Sequence, residues 1–538
     1  MLSRPPLSRI RTGIFLLFSV DFLPLIHYNK RSQMHYQKNC FVSMHKGGLI
    51  RTMSDFSTVK SAFKIYPASL HEENDSCVFI ADVGDKDVLV AAGPAAARFK
   101  GTALTAGDVP YVCCELEHEN ADALRKMFPF TAPSKVLHEK RTVGVGDRLG
   151  LATPGHIRVF KRFDAFPIFA QQSIRELNLT NRTFGDVMDA ATWGVFREGF
   201  TRPWGADGDH LKTFDEIEYA LKYGYTMITL DCSEHIHNDA AKISDEEVAA
   251  RYTPHPELEA LYMGKTFDVG GHKIVFSEAD FKRTVLIYSE AIDYTVEVWN
   301  KYFEGKENGP ELEMSIDETE SVTEPYQHYF VASELLRRGV KLTTLAPRFV
   351  GEFQKGIDYI GTVESFDADF AVHAAIADKL GYKISVHSGS DKFSVFPSIG
   401  RLTGGHFHLK TAGTNWLVAM QIIAEHDPKL YREVHKYALE EAFTEASKYY
   451  HVTTDLTKIP ALDTLTDEQL PDLFKQNDAR QLIHITYGLI LTVKNADGTF
   501  VFRDRLFSAW RKYAEEYAVR LDEHIGRHLQ EVYKGFQN

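Results

Sequence analysis

Phe166-Pro167-Ile168-Phe169-Ala170-Gln171-Gln172-Ser173 is a short apolar run that stops abruptly in polar residues, and a helix-compatible segment follows it. A buried parallel strand reads this way, apolar along its length and polar where it leaves the sheet. The texture recurs. An earlier run ends in Gly146-Asp147-Arg148, and later ones close at Gly205-Ala206-Asp207-Gly208-Asp209-His210, at Asp231-Cys232-Ser233-Glu234-His235 after Tyr225–Leu230, and at Asp317-Glu318-Thr319 after Leu312–Ile316. Lys341–Ala346 precedes Arg348, Tyr382–Val386 precedes His387-Ser388-Gly389-Ser390-Asp391-Lys392, and Phe407-His408-Leu409 precedes Lys410-Thr411-Ala412-Gly413. Eight such units predict an α/β fold, a (β/α)8 barrel of the TIM type, in which every strand's C-terminal end lies on one face and the polar clusters converge there.

Around this core the sequence divides further. Residues 53–140 hold short strand-like runs and one helical stretch, a small α+β cap. The barrel takes 141–430, with an insertion at 232–310 that includes a Gly270-Gly271 hairpin and is placed to cover the site. Residues 431–538 are helical in pattern and are expected to pack on the barrel. Residues 1–52 read as an upstream leader without order, because Met53-Ser54-Asp55 looks like a natural start. N-terminal sequencing of the native protein tests this, and a mature start well beyond Met53 would refute it.

Composition excludes several function classes. The 538 residues are 44% apolar and 25% charged, enough for a large core. A net charge of -13 with no Lys/Arg run argues against nucleic acid. The most apolar segment, 13–26, is too short for a bilayer and carries Asp21, so no membrane span is expected. Five cysteines without paired spacing indicate neither a disulfide framework nor a thiolate metal site and suit a reducing, cytoplasmic compartment. A small-molecule substrate is left. The sequence does not choose between a monomer and a homo-oligomer.

His210, His387 and His408 stand at barrel-strand ends, where neutral imidazoles could hold a divalent metal with positions open to substrate. Local hydrogen bonding is the plain alternative for any one of them. His406 shares a strand face with His408, so spacing does not separate them, and His235 and His237 compete after the fourth strand. Asp209 and Glu318, on different strands beside these histidines, could trade protons from two sides, whereas Asp207 and Asp231 suit helix capping equally well. Arg148, Arg175, Arg348, Lys392 and Lys410 supply positive charge for an anionic sugar. Gly389 and Gly413 leave a phosphate cradle open.

The motifs Gly146–Gly150, Phe166–Ser173, Ala191–Phe196, Gly205–His210, Ser315–Thr319, His387–Phe393, His408–Gly413 and Arg480–His484 resemble the tagaturonate epimerase family over nearly the whole chain after Met53. The resemblance implies a metal-dependent epimerase that interconverts D-tagaturonate and D-fructuronate at carbon 4. It implies metal ligands at His210, His387 and His408 rather than His406, proton transfer by Asp209 and Glu318, and substrate contacts from Gln172, Ser173, Arg348, Asp391, Lys392 and Lys410. The metal's identity stays open among zinc, manganese, nickel and cobalt, since imidazoles accept several first-row ions. Two rival readings remain. One is a metal-dependent isomerase or aldolase of neutral or phosphorylated ketoses, and the other is a sugar-binding barrel without turnover.

Overall fold

The computed structural model describes residues 55–411 and 413–537, and the expected leader at 1–52 lies outside the described residues. In the N-terminal region six strands, β1 (Lys64–Ile65), β2 (His71–Glu73), β3 (Ser76–Asp82), β4 (Asp87–Ala92), β5 (Thr102–Ala106) and β6 (Val109–Cys114), form an antiparallel sheet. One face of it, with Val78, Ile80 and Leu89, packs on Trp193 and Phe196 of the helix Phe184–Arg197. The sheet therefore sits against the barrel's flank.

The eight units supply eight parallel strands: β7 (Arg141–Gly144), β8 (Phe166–Ser173), β9 (Gly205–Leu211), β10 (Met227–Asp231), β13 (Glu311–Ile316), β14 (Thr344–Pro347), β15 (Lys383–Val386) and β16 (Phe407–Lys410). The hairpin β11 (Thr266–Val269) and β12 (His272–Val275) lies in the insertion. β16 pairs with β7, His408 opposite Thr142, and the ring closes.

Alternation along the strands, interrupted in β8 by a register shift between Ile168 and Ala170, sorts the residues into two environments. Val143, Phe169, Ile228, Leu312, Leu345, Ile384 and Leu409 point outward into the layer shared with the helices. The inward positions are polar: Thr142, Gln171, Asp207, Thr229, Glu313, Thr344, Lys383, Ser385, His408 and Lys410, all buried. Such a lumen is stable only if its polar atoms pair with one another. Lys410 Nζ lies 2.6 Å from Asp209, 2.8 Å from Glu313 and 3.0 Å from Asp207. Thr229 Oγ1 donates to Asp207 at 2.9 Å, and Thr344 Oγ1 to Glu313 at 2.6 Å. At the opposite end Lys383 Nζ donates to the carbonyls of Leu137 and Glu139 and to Thr142 Oγ1, above an apolar floor of Val136, Leu137, Ile168 and Met227.

The C-terminal helices clasp the barrel. The helix Ala514–Lys534 crosses the barrel helices Thr153–Phe160 and Phe396–Leu402 so closely that a Cβ at Gly400 would stand 1.9 Å from Val532 O, and one at Gly155 would stand 2.8 Å from Ala518 O. Glycine is required at both crossings.

The lumen network generates a stability prediction. Lys410→Met leaves three buried carboxylates without their cation, and breaking a buried pair of this kind costs about 3–5 kcal/mol. Chemical denaturation should show a loss of that size. An unchanged unfolding midpoint would mean that the lumen carboxylates are not ionised together.

Candidate functional site

The C-terminal ends of the barrel strands open into a cavity of about 300 Å³, walled by residues that include Arg175, Asp317, Arg348, Lys355, His387 and Tyr450. At its base a pit of about 60 Å³ adds Gln171, Asp209, His210 and Lys410. The size suits a small polar metabolite.

An irregularity in β9 builds one wall of the pit. Gly208 pairs with Ile228 but Leu211 with Leu230, so β9 spends an extra residue there. His210 takes φ 51° at that bulge, a conformation that non-glycine residues adopt at a cost and that recurs at functional sites. A regular pleat would send one of Asp209 and His210 away from the lumen. The bulge lets both line the pit.

His210, His387 and Asp317 each present a donor atom, all within 4.8 Å of one another. His387 Nε2 pairs with Glu313 Oε1 at 2.8 Å, which fixes the ring and leaves Nδ1 facing Asp317 at 3.0 Å. A carboxylate on the far nitrogen is the usual support for a ligating imidazole. His387 Nδ1, His210 Nδ1 and Asp231 Oδ2 are buried without a hydrogen-bond partner, although His210 Nδ1 and Asp231 Oδ2 are 3.5 Å apart. Burial disfavours charge on His210, yet Asp209 and Asp231 outweigh it and raise the imidazole to about 10, so this corner favours positive charge. A second group, His210, Asp231 and Glu318, meets the same 4.8 Å limit. Unsatisfied nitrogen and carboxylate donors converging from three strands fit a divalent cation.

Residues 66–532 match the family model described as tagaturonate epimerase. The chain belongs to the tagaturonate epimerase family. A relative called tagaturonate/fructuronate epimerase, from Thermotoga maritima, is 40% identical over 475 residues, which cover 87% of this chain and 96% of the relative. Crystal structures of the fructuronate-tagaturonate epimerase of Cohnella laeviribosi, with one glycerol bound and in native form, superpose with a TM-score of 0.86 at 47% identity. They cover 89% and 88% of this chain and 98% and 97% of theirs.

Within this family member the residues expected from sequence separate into two sets. Asp209, His210, His387, Lys410, Ser173 and Glu318 all border the pit, and Arg348 borders the cavity above it. The remaining residues lie elsewhere in the fold. His408 lies one layer below Lys410 on the same inward face, with Nδ1 2.9 Å from Thr142 Oγ1 and Nε2 4.0 Å from Glu313 Oε2. It is outside every described donor group, where Asp317 joins His210 and His387, although His408 Nε2 is buried without a hydrogen-bond partner. The strand runs on to Lys410, one residue beyond Leu409, and it is Lys410 that reaches the pit. His406 precedes the strand and lines a depression with Asp378 and Tyr382. His235 and His237 both pair with Glu290, away from the pit.

Gln172 is buried and does not border the pit, while its neighbour Gln171 does. Asp391 pairs with Arg480 at 2.7 Å and His524 at 3.0 Å, and its backbone N–H donates to His528 Nε2 at 2.9 Å. This ties the loop after β15 to the C-terminal helices. Lys392 Nζ is fully engaged by the carbonyls of Gln354, Ile357 and Ser390. Gly389 N–H donates to Lys410 O at 2.8 Å, so that loop offers no free phosphate cradle there. Among the described residues, none of the insertion 232–310 lines the cavity or the pit. Its hairpin packs on outer helices, Phe267 against Tyr329, and Tyr449, Tyr450 and His451 line the mouth instead. Asp317, Gln171 and Lys355 were not singled out from sequence as site residues. A carboxylate directly after an apolar run was the available signal for Asp317.

Lys392→Met tests the structural assignment of that lysine. Three buried carbonyls lose their donor, each at a cost of about 1–3 kcal/mol, so thermal unfolding should shift markedly downward while the KM of the remaining active enzyme holds. A raised KM with unchanged stability would return Lys392 to the substrate.

Proposed function

We propose that this chain interconverts D-tagaturonate and D-fructuronate by inverting carbon 4, in hexuronate catabolism in the cytoplasm. The observation that carries the proposal is the pit itself. Buried nitrogens of His210 and His387 without hydrogen-bond partners meet the Asp317 carboxylate there, flanked by the carboxylates Asp209 and Glu318, in a chain that matches epimerases along most of its length. A divalent ion such as zinc, manganese, nickel or cobalt held by those donors would supply Lewis acidity at the substrate's ketone.

The side chains would do the rest. The hydrogen on carbon 4 is not acidified by the carbon 2 ketone, so its removal as a proton lacks an electron sink. Cleavage of the bond between carbons 3 and 4 has one. Asp209 accepts the proton of the carbon 4 hydroxyl as that bond breaks, the electron pair forms an enediolate over carbons 2 and 3, and carbon 4 becomes an aldehyde. The aldehyde turns to its other face, carbon 3 re-adds, and Glu318, protonated at the start of this direction, gives its proton to the new alkoxide; Asp209 is left protonated and Glu318 ionised, the state from which the reverse reaction starts. In the reverse direction the two carboxylates exchange duties. Ser173, Lys410 and Arg348 border the space the sugar would fill. Arg348 also holds the loop bearing Glu318 by donating to Thr319 O.

The test is incubation of the protein with tagaturonate in deuterated water, with and without a chelator. Fructuronate should form with its carbon 4 hydrogen unexchanged, and the chelator should abolish it. Deuterium entering carbon 4 in step with epimerisation would replace bond cleavage by direct deprotonation. Turnover that survives the chelator would remove the metal from the scheme.

A further inference from the structure

We propose that Arg175 and Lys355 form the carboxylate-reading wall of the site and set its preference for sugar acids over neutral ketoses. The inference rests on the hexuronate reading and deepens it by naming the residues that recognise the acid group.

Elimination among the cations of the mouth leads to this pair. Arg148 is committed to Glu176 at 2.8 Å, Lys410 to three carboxylates, Lys392 to three carbonyls and Arg480 to Asp391. Arg348 donates to Thr319 O, with Glu352 at 3.9 Å. Arg175 and Lys355 differ. Among the described residues no carboxylate lies within 4.0 Å of either, and both line the cavity and the pit. Arg175 follows the N-cap Ser173 on the helix Ile174–Thr180, and its guanidinium lies over the Tyr450 ring at 5.1 Å. Lys355, in the loop after β14, gives Nζ to Ser388 Oγ at 3.0 Å.

Two like charges lining one partly buried cavity repel each other. Burial, with Arg175 adding to it, pushes the Lys355 ammonium down from its usual range. Despite burial, Tyr450, Glu318 and Glu176 hold the Arg175 guanidinium above its usual range, so the cost falls on Lys355 and is relieved when an anion arrives. A carboxylate fits the donors available: Arg can offer two parallel N–H groups, Lys a point charge, and Ser388 sits beside the latter. In a 2-ketohexuronate the carboxylate is carbon 6, at the far end of the sugar from the carbon 2 ketone. The cations and the donor group of His210, His387 and Asp317 would therefore engage opposite ends of one substrate.

The experiment is titration calorimetry of the metal-replete full chain with D-tagaturonate and with D-tagatose, which differ only at carbon 6, alongside NMR detection of epimerisation. Wild type should bind the acid more tightly, and Lys355→Met or Arg175→Met should weaken acid binding by about 30-fold or more, as truncating one partner of a desolvated charge pair does. Tagatose binding should change by no more than about threefold, a difference under 1 kcal/mol. Lys355→Arg and Arg175→Lys should recover part of the loss. Lys355→Met removes a buried, poorly paired charge, so its unfolding midpoint should match or exceed the wild type's, which separates lost recognition from lost folding. Unchanged discrimination between the two sugars in both Met variants, or none in the wild type, overturns the inference. Wild-type discrimination that the Met variants abolish, without any epimer on NMR, would uphold the carboxylate wall and reject the epimerase reading instead.

Discussion

The Lys410 ammonium sits inside a barrel lumen among Asp207, Asp209 and Glu313. Charge removed from water is tolerated only when paired and hydrogen-bonded, and here the pairing is lopsided, since the carboxylates outnumber the cation. Burial pushes Asp207 up to about 6, while Glu313, despite its own burial, is held well below the usual range by Lys410 and His387. The surplus negative charge reaches the mouth through Glu313, which orients the His387 ring. Filling the lumen and preparing the pit are thus one interaction. An apolar lumen would pack as well, but it would leave His387 without its orienting partner.

The mouth depends on chain segments remote in sequence. Asp391 is held by Arg480 and His524 from the C-terminal helices, and Ser388, three residues before it, takes φ 50°. Gln354 accepts from Thr453 and from Gln481, tying the loop that bears Lys355 to the same helices. Tyr450 lies beneath Arg175. The C-terminal region is therefore a frame for the catalytic loops, which explains the glycines that let its last helix approach the barrel so closely. Loops carry the chemistry, and a rigid scaffold aims them.

The barrel was legible because a buried parallel strand leaves an apolar run with a polar end; the third unit departs from this, since the polar stretch Gly205–His210 expected to close the run is itself the strand. Side-chain direction was less legible. Gln171 and Gln172 differ by one step of the pleat, and only Gln171 borders the pit. His408 and Lys410 share a face but differ by one layer, roughly 6.6 Å along a strand. No periodicity announces the β9 bulge that turns His210 inward. Asp391 and Lys392 carry the charges expected of a binding loop, but partners far along the chain consume them. Lys355 lies in a loop whose path is set by Gln354, Thr453 and Gln481, so only the folded chain reveals where it points.

Charge placement also constrains how a sugar acid can lie in this cavity. Asp317 and Glu318, like Arg175 and Lys355, line both the pit and the cavity above it, whereas Asp209 lines only the pit, so a carboxylate driven to the bottom of the pit would meet that further like charge, and like charges a few ångströms apart in a low-dielectric site repel by several kcal/mol. Facing the wall of Arg175 and Lys355, the same group meets attraction. Hydroxyls and a ketone have no such penalty in the pit, where carboxylates accept their protons and the donor group faces their oxygens. With Arg175 and Lys355 as the proposed carboxylate wall, the acid group would point toward them, and the carbon 2 to carbon 4 segment would descend toward Asp209, His210 and His387. A neutral ketose lacks the group that distinguishes its two ends and could enter either way round. On this argument, discrimination arises from orientation as well as from contact, because repulsion in the pit excludes the reversed pose that attraction at the wall alone would leave open.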